Sequence, residues 1–327
     1  MAQLISGEAY SLSEIFCGEN DKVIIPDLQR DYCWGNPISD NAEDSLASSF
    51  IDSILRLEKS QEITMGLIYG YYDKALIPYH LQLCDGQQRL TTLFLIIGVI
   101  NRMVPGNKYR DLLISNFELQ EDDNEPHLLY GIRESSLYFL SDLTVHYFLK
   151  DSLSVNELGD QSWFLNSYHY DPTITSIIRA LTTIERKLKA CKNLELLGDF
   201  LIRKLKFLFY DMGNRLNGEE TFVVINTTGE PLTANQNLKP QIMMTNTSYC
   251  RRSGDSQNVV FDAAHDWEIM ETWFWKHRRK NEHDTSTEGM LAFLHCVRIL
   301  ESGDEASWHK NYEISNDKFP LSISMNT

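Results

Sequence analysis

The spacing of hydrophobic and polar positions changes period at several points along this chain. Tyr79, Leu81 and Leu83 alternate with His80, Gln82 and Cys84. Period two over six residues predicts a half-buried strand. Asp85-Gly86 interrupts the alternation, and Leu90, Leu93, Phe94 and Ile97 then recur at helical spacing. Other stretches carry the same kinds of signal. Leu12, Ile15 and Phe16 predict a short helix over residues 10–17, and Val23-Ile24-Ile25 a short strand stopped by Pro26. Leu46, Phe50, Ile54 and Leu57 mark an amphipathic helix within 43–58. Residues 62–72 alternate again through Ile63, Met65, Leu67, Tyr69 and Tyr71, with Gly66 and Gly70 where another backbone or a ligand can come close.

Beyond an acidic stretch at 118–126, predicted to be a solvated loop, the pattern turns helical. Leu137, Leu140, Leu143, Tyr147 and Phe148 form one stripe. Asp171 followed by Pro172 predicts an N-cap and first helical residue, and Ile174, Ile177, Ile178, Leu181, Ile184 and Leu188 the buried face behind them. Lys206–Met212 predicts a buried strand. Asn217 with Glu220 reads as a capping box for a helix carrying Phe222, Val223 and Ile225, which ends at Gly229. Thr233 with Gln236 caps a further helix carrying Lys239, which Pro240 kinks or shortens. Trp267, Met270, Trp273 and Phe274 form a helix face within 265–280. The predicted class is α+β: a small mixed sheet within the first hundred or so residues, followed by a large α-helical part.

Composition narrows the function classes. The 327 residues suffice for one large or two ordinary domains, and 43% hydrophobic and 11% aromatic content predict a packed interior. A formal net charge of −16 argues against wholesale coating of nucleic acid while leaving room for a local basic groove. The six cysteines, at 17, 33, 84, 191, 250 and 296, show no C-x-x-C pair, as expected of reduced thiols in a cytoplasmic protein. The first sixteen residues have no basic segment followed by an apolar run, so no secretory leader is expected. No apolar run is long enough to span a bilayer, so no membrane association is expected.

The candidate chemistry centres on Asp85-Gly86-Gln87-Gln88-Arg89. A strand-to-helix junction presents free backbone N–H groups and the positive end of the helix dipole, which suit a phosphate. Gly86 would admit its close approach, Arg89 could fork onto its oxygens, and Asp85 could hold a hydrated Mg²⁺. The plainer alternative is that Asp85 caps the helix and Arg89 pairs with a surface acid. Upstream, Arg30 is a second phosphate candidate. Tyr32 and Trp34 would stack on a base or lie in the core, and large aromatics favour the core. Taken alone, Asn226 and Lys239 read as capping and surface residues. Lys276, His277, Arg278, Arg279 and Lys280 make the one dense basic cluster, suited to a helix C-terminus or to nucleic-acid phosphates.

Three segments occur in order: IPDLQRDYCW (25–34), LCDGQQRLTTL (83–93) and FVVINTTGEPLTANQNLK (222–239). Together they resemble the N-terminal domain of modification-dependent restriction proteins of the GmrSD and SspE type. That resemblance implies a ParB/sulfiredoxin-like core over 1–117. It also implies a mainly helical domain over 118–327, from which 206–240 returns to complete the site. It further implies Mg²⁺-dependent binding and hydrolysis of a nucleoside triphosphate, commonly GTP, at Asp85, Gln87, Gln88 and Arg89. Gln29, Arg30, Tyr32, Trp34, Gly86, Asn226 and Lys239 would converge there, with Asp85 on the metal. The implied role is a sensor in an anti-phage restriction system that detects modified DNA and acts with a nuclease domain or subunit. Homo-oligomer formation stays open. Two departures stand out. Gln236 replaces an acid that relatives often carry, and no HNH-type nuclease segment is recognisable, so a fragment or a stand-alone sensor is expected. The alternative is a non-catalytic DNA-recognition or scaffold module.

Overall fold

A computed structural model describes residues 3–17, 22–27, 29–39, 43–72, 80–115, 125–150, 153–214, 217–218, 263–277, 289–290, 292–294 and 296–297. By its contacts the chain divides into two units, Met1–Phe222 and Val223–Thr327.

The first unit is built on a six-stranded mixed sheet of β1 (Ala9–Ser11), β2 (Val23–Ile25), β3 (Ile63–Tyr72), β4 (Leu81–Asp85), β5 (Leu128–Tyr130) and β6 (Leu205–Asp211), in the order β1-β6-β3-β4-β2-β5. β2 runs parallel to β4 and β5. β3 runs antiparallel to β4 and parallel to β6. The helices are α1 (Leu12–Phe16), α2 (Leu46–Arg56), α3 (Gln87–Met103), α4 (Arg110–Leu113), α5 (Glu134–Leu143), α6 (Pro172–Lys189) and α7 (Leu194–Arg203). The α+β class with a mixed sheet and a large helical share is therefore as expected. One hydrophobic core runs from Leu4 to Phe209 and joins the sheet to the helices beyond residue 117.

Local chemistry accounts for the helix starts. Ser11 and Glu14 form a reciprocal capping box at α1, Ser45 accepts from the Ser48 N–H at 3.1 Å at α2, and Asn193 accepts from the Leu196 N–H at 2.9 Å at α7. At α6, Asp171 accepts from the N–H groups of Thr173 (2.8 Å) and Ile174 (3.3 Å), with Pro172 at the first helical position, as its sequence predicts.

Burial departs from the sequence pattern at four places. β4 is not half-buried: Leu81, Gln82, Leu83 and Cys84 are all buried, because it lies inside the sheet between β3 and β2 with both faces covered. α3 has the expected helical spacing but is buried all round, from Leu90 through Asn101. The stripe that begins in α5 continues through a π-helical turn, Thr144–Phe148, whose extra residue brings both Tyr147 and Phe148 inside while Leu137 is only half-buried. In α6, Ile178 falls outside the buried face, which Ala180 completes.

In the second unit, α8 (Ala263–Lys276) packs Trp267 against Met290, with Met270, Phe274 and Leu294 around them. Trp273, expected on the same face, is 53% exposed and stacks on His277 at 4.2 Å. Residues 267, 270 and 274 share a helical face, and residue 273 is out of phase with it. The expected helices over 217–240, apart from Asn217 and Gly218, and residues 118–124 of the acidic stretch fall outside the described residues; at the end of that stretch Glu125 is not solvated as expected but pairs with the buried Lys22. Among the described residues, no helix is long and apolar enough to cross a membrane.

Candidate functional site

β4 ends at Asp85 and α3 begins at Gln87, so the polar run lies at a strand-to-helix junction. The N-cap is Gly86, at φ +94° and ψ 1°, and no side chain caps α3. Asp85 is thus not the helix cap, and among the described residues no side chain accepts from the first-turn N–H groups of this seventeen-residue helix. The glycine is required twice over. Its left-handed φ disfavours any L side chain, and a Cβ there would stand 2.7 Å from the Ile68 side chain.

The two glutamines have separate tasks. Gln88 is buried and engaged at both ends of its amide. Its Oε1 accepts from the backbone N–H groups of Cys33 (3.0 Å) and Trp34 (3.3 Å), and its Nε2 donates to the Asp31 carbonyl at 2.7 Å. Gln29, also buried, donates from Nε2 to the Cys84 carbonyl at 2.9 Å. The segment after β2 is thereby strapped to β4 and α3 by two side-chain amides. Gln87 differs: it is 3% exposed, and its Oε1 has no hydrogen-bond partner. A buried acceptor without a donor is costly, so an orphan of this kind calls for an explanation.

Arg89 lies across β3. Its Nη2 donates to the Leu67 carbonyl at 2.7 Å and stands 3.5 Å from Asp85 Oδ2, while its guanidinium carbon is 6.0 Å from the centre of the Phe207 ring. Nη1 occupies the space that a Cβ on Gly66 would take. The close neighbour expected at Gly66 is therefore this arginine, and at Gly70 it is the Gln82 carbonyl, 2.7 Å from where a Cβ would be. The Arg89 and Asp85 side chains remain 24% and 31% exposed, enough for both to meet a ligand.

Of the two aromatics, Tyr32 lies in the core, as its type favours and against its implied place at a base, and Trp34 does so only in part. Tyr32 is fully buried, its hydroxyl 2.9 Å from Thr92 Oγ1, and burial pushes its ionisation well above the ordinary tyrosine range. A ring so enclosed belongs to the core and cannot stack on a base. Trp34 is half-buried, edge-on to Phe50 at 5.1 Å. Arg30 is half-buried in the same segment. Asn226, Lys239, Arg278, Arg279 and Lys280 lie outside the described residues, and Lys276 closes α8 in the second unit.

Sequence reasoning missed one cluster. Arg133, 2% exposed at its side chain, pairs through Nη1 with Asp31 Oδ1 and through Nη2 with Oδ2 at 3.2 Å, and lies 3.8 Å from Asp171 Oδ1. Thr173 Oγ1 donates to Asp31 at 2.9 Å, and the Ser135 and Ser136 hydroxyls each donate to Asp171 Oδ2 at 2.6 Å. Partners 102 residues apart leave no local pattern that could have announced them. Among the described residues, no group of three or more His, Cys, Asp or Glu side chains is arranged to hold a metal ion. Asp85 remains the half-exposed carboxylate of the junction, and a Mg²⁺ carried on substrate phosphates needs only one or two protein carboxylates.

Two comparisons bear on this junction. A family model described as the GmrSD restriction endonuclease, N-terminal domain, matches residues 12–243. No curated protein matches the chain.

Proposed function

This chain belongs to the family of GmrSD restriction endonuclease N-terminal domains, and from that premise we propose that it is the nucleotide-responsive component of a modification-dependent DNA restriction system. In this reading the chain binds a nucleoside triphosphate with Mg²⁺, GTP first among the candidates. It works in the cytoplasm with a nuclease domain or subunit that acts on modified phage DNA. The observation that carries the reading is the uncapped start of α3 beside a buried, unpartnered Gln87 Oε1. A phosphate would accept from the free N–H groups opened by Gly86. Arg89 has donors to spare beyond Nη2 and would neutralise phosphate charge, with Arg30 approaching from the neighbouring segment. Asp85 would hold the Mg²⁺, which supplies charge neutralisation between phosphoryl oxygens when bound.

Hydrolysis of a phosphoanhydride needs positioning and charge stabilisation more than a covalent nucleophile. Gln87 suits the positioning of water, because its carbonyl oxygen is an acceptor without a donor. Gln88 does not, since both ends of its amide are already spent on residues 31–34. Gln29 then acts as a strap, and Tyr32 as core.

Phosphate release from GTP, ATP, CTP and UTP with Mg²⁺, with and without modified DNA, tests the proposal in the wild type beside Asp85→Ala and Arg89→Ala. Turnover that both substitutions abolish is expected. Absence of both binding and turnover with every nucleotide in the folded wild type, together with strong DNA binding, would replace this reading with that of a DNA-recognition scaffold.

A further inference from the structure

We infer that Arg133 is a positioning residue for the junction at 85–89, acting through Asp31. The inference rests on the anion-site reading above for its ligand, but the linkage itself stands on hydrogen bonds alone. Asp31 is held at two points by two different parts of the molecule. Its backbone carbonyl accepts from Gln88 in the first turn of α3. Its carboxylate takes both terminal nitrogens of Arg133 and the Thr173 hydroxyl. Arg133 is the N-cap residue of α5 and receives the Leu137 N–H on its own carbonyl at 3.0 Å. Thr173 lies in the first turn of α6, whose cap Asp171 is the second carboxylate beside Arg133. One residue therefore links the start of α3 to the starts of α5 and α6.

A buried ion pair is poor evidence for stability, because desolvation offsets most of its attraction, and its best-attested use is to fix one geometry among several. The fork of the guanidinium fits that use. Two parallel bonds to one carboxylate set the direction of the Asp31 side chain, and so the orientation of the peptide whose carbonyl Gln88 holds. Gln88 in turn spends its Oε1 on the Cys33 and Trp34 N–H groups. Loss of the fork would loosen residues 31–34, then the amide of Gln88, then the first turn of α3 in which Gln87 and Arg89 stand. The Asp31 side chain is 28% exposed, so it would be re-solvated when released, and the consequence would be misplacement more than unfolding.

The test compares Asp31→Asn and Arg133→Lys with wild type and with Lys187→Ala, which removes a pair to Asp52 elsewhere on α6. Two quantities are read below the melting range: amide exchange at Cys33 and Trp34, and affinity for GTP with Mg²⁺. Asp31→Asn should speed exchange at both amides and weaken nucleotide binding by about tenfold, the scale of one charge-assisted hydrogen bond. Arg133→Lys should fall in between, and Lys187→Ala should change neither quantity. Wild-type binding with unchanged affinity in folded Asp31→Asn overturns the inference. So does lost affinity with unchanged exchange, which would mean that Asp31 meets the ligand itself. Faster exchange in a protein that binds no nucleotide even as wild type would uphold the linkage and overturn the nucleotide reading.

Discussion

Gly86, Gln87 and Gln88 are adjacent in the chain, yet each answers to a different constraint. Gly86→Ala places a side chain at φ +94° and drives its Cβ toward Ile68. The left-handed penalty and the overlap together should cost about 2 kcal/mol, read as a fall in the denaturant midpoint. Gln88→Ala leaves two backbone N–H groups and one carbonyl of a half-buried segment without this partner. A loss of about 2–3 kcal/mol is expected. Gln87→Ala removes an acceptor that bonds to nothing, so stability should change by less than about 1 kcal/mol while turnover falls. Equal destabilisation by the two glutamine substitutions would refute this division of labour. The sequence marks the run as special but cannot separate its members, because which glutamine is spent depends on a loop more than fifty residues upstream. Tyr32 shows the same limit. Its neighbours Arg30 and Trp34 are half-buried while it is enclosed, a difference set by Thr92 on α3.

Among whole elements, the legible ones carry their own local signal. α1, α2, α6, β2, β3, β4 and β6 all follow from the pattern of positions, since an apolar stripe at helical spacing, an alternation or an apolar run marks each of them, with Asp171-Pro172 opening α6. β1 and β5 have three residues apiece and owe their existence to neighbours β6 and β2, so local spacing cannot reveal them. α7 is short and interrupted by Gly198, which weakens its periodic signal. The caps also differ in weight. Asp171 is buried and accepts from two helix N–H groups and two serine hydroxyls, whereas Asn193 caps α7 in an exposed setting. Asp171→Ala should therefore cost at least about 3 kcal/mol, and Asn193→Ala about 1 kcal/mol, in parallel urea titrations. Similar losses at the two caps would mean that the hydroxyl bonds to Asp171 contribute nothing.

For the molecule as a whole, enclosed tyrosines set an alkaline limit. Burial raises the ionisation of Tyr32 and Tyr130 well above the ordinary value of 10.0. The folded protein thus keeps protons that the unfolded chain releases. Stability is intact below pH 10 and declines above it, by up to about 1.4 kcal/mol per pH unit for each tyrosine. Urea midpoints measured from pH 9 to 11 should show that decline, and Tyr32→Phe should make it shallower. The third sequence segment, 222–239, lies outside the described residues, so what it adds to the junction cannot be followed from position to contact as it can for residues 29–34 and 85–89.

The complete burial of α3 has a consequence for how this protein tolerates change. From Leu90 to Asn101 the helix has no solvent side, so a saturation library should find no position there that accepts Asp or Lys. Among the half-exposed residues of this helix, Arg102 and Met103 should accept such changes outright, whereas at Arg89 the fold should tolerate them but turnover should not. In a lineage of such proteins this rod would be the slowest part to drift, and new specificity would have to be acquired at its ends.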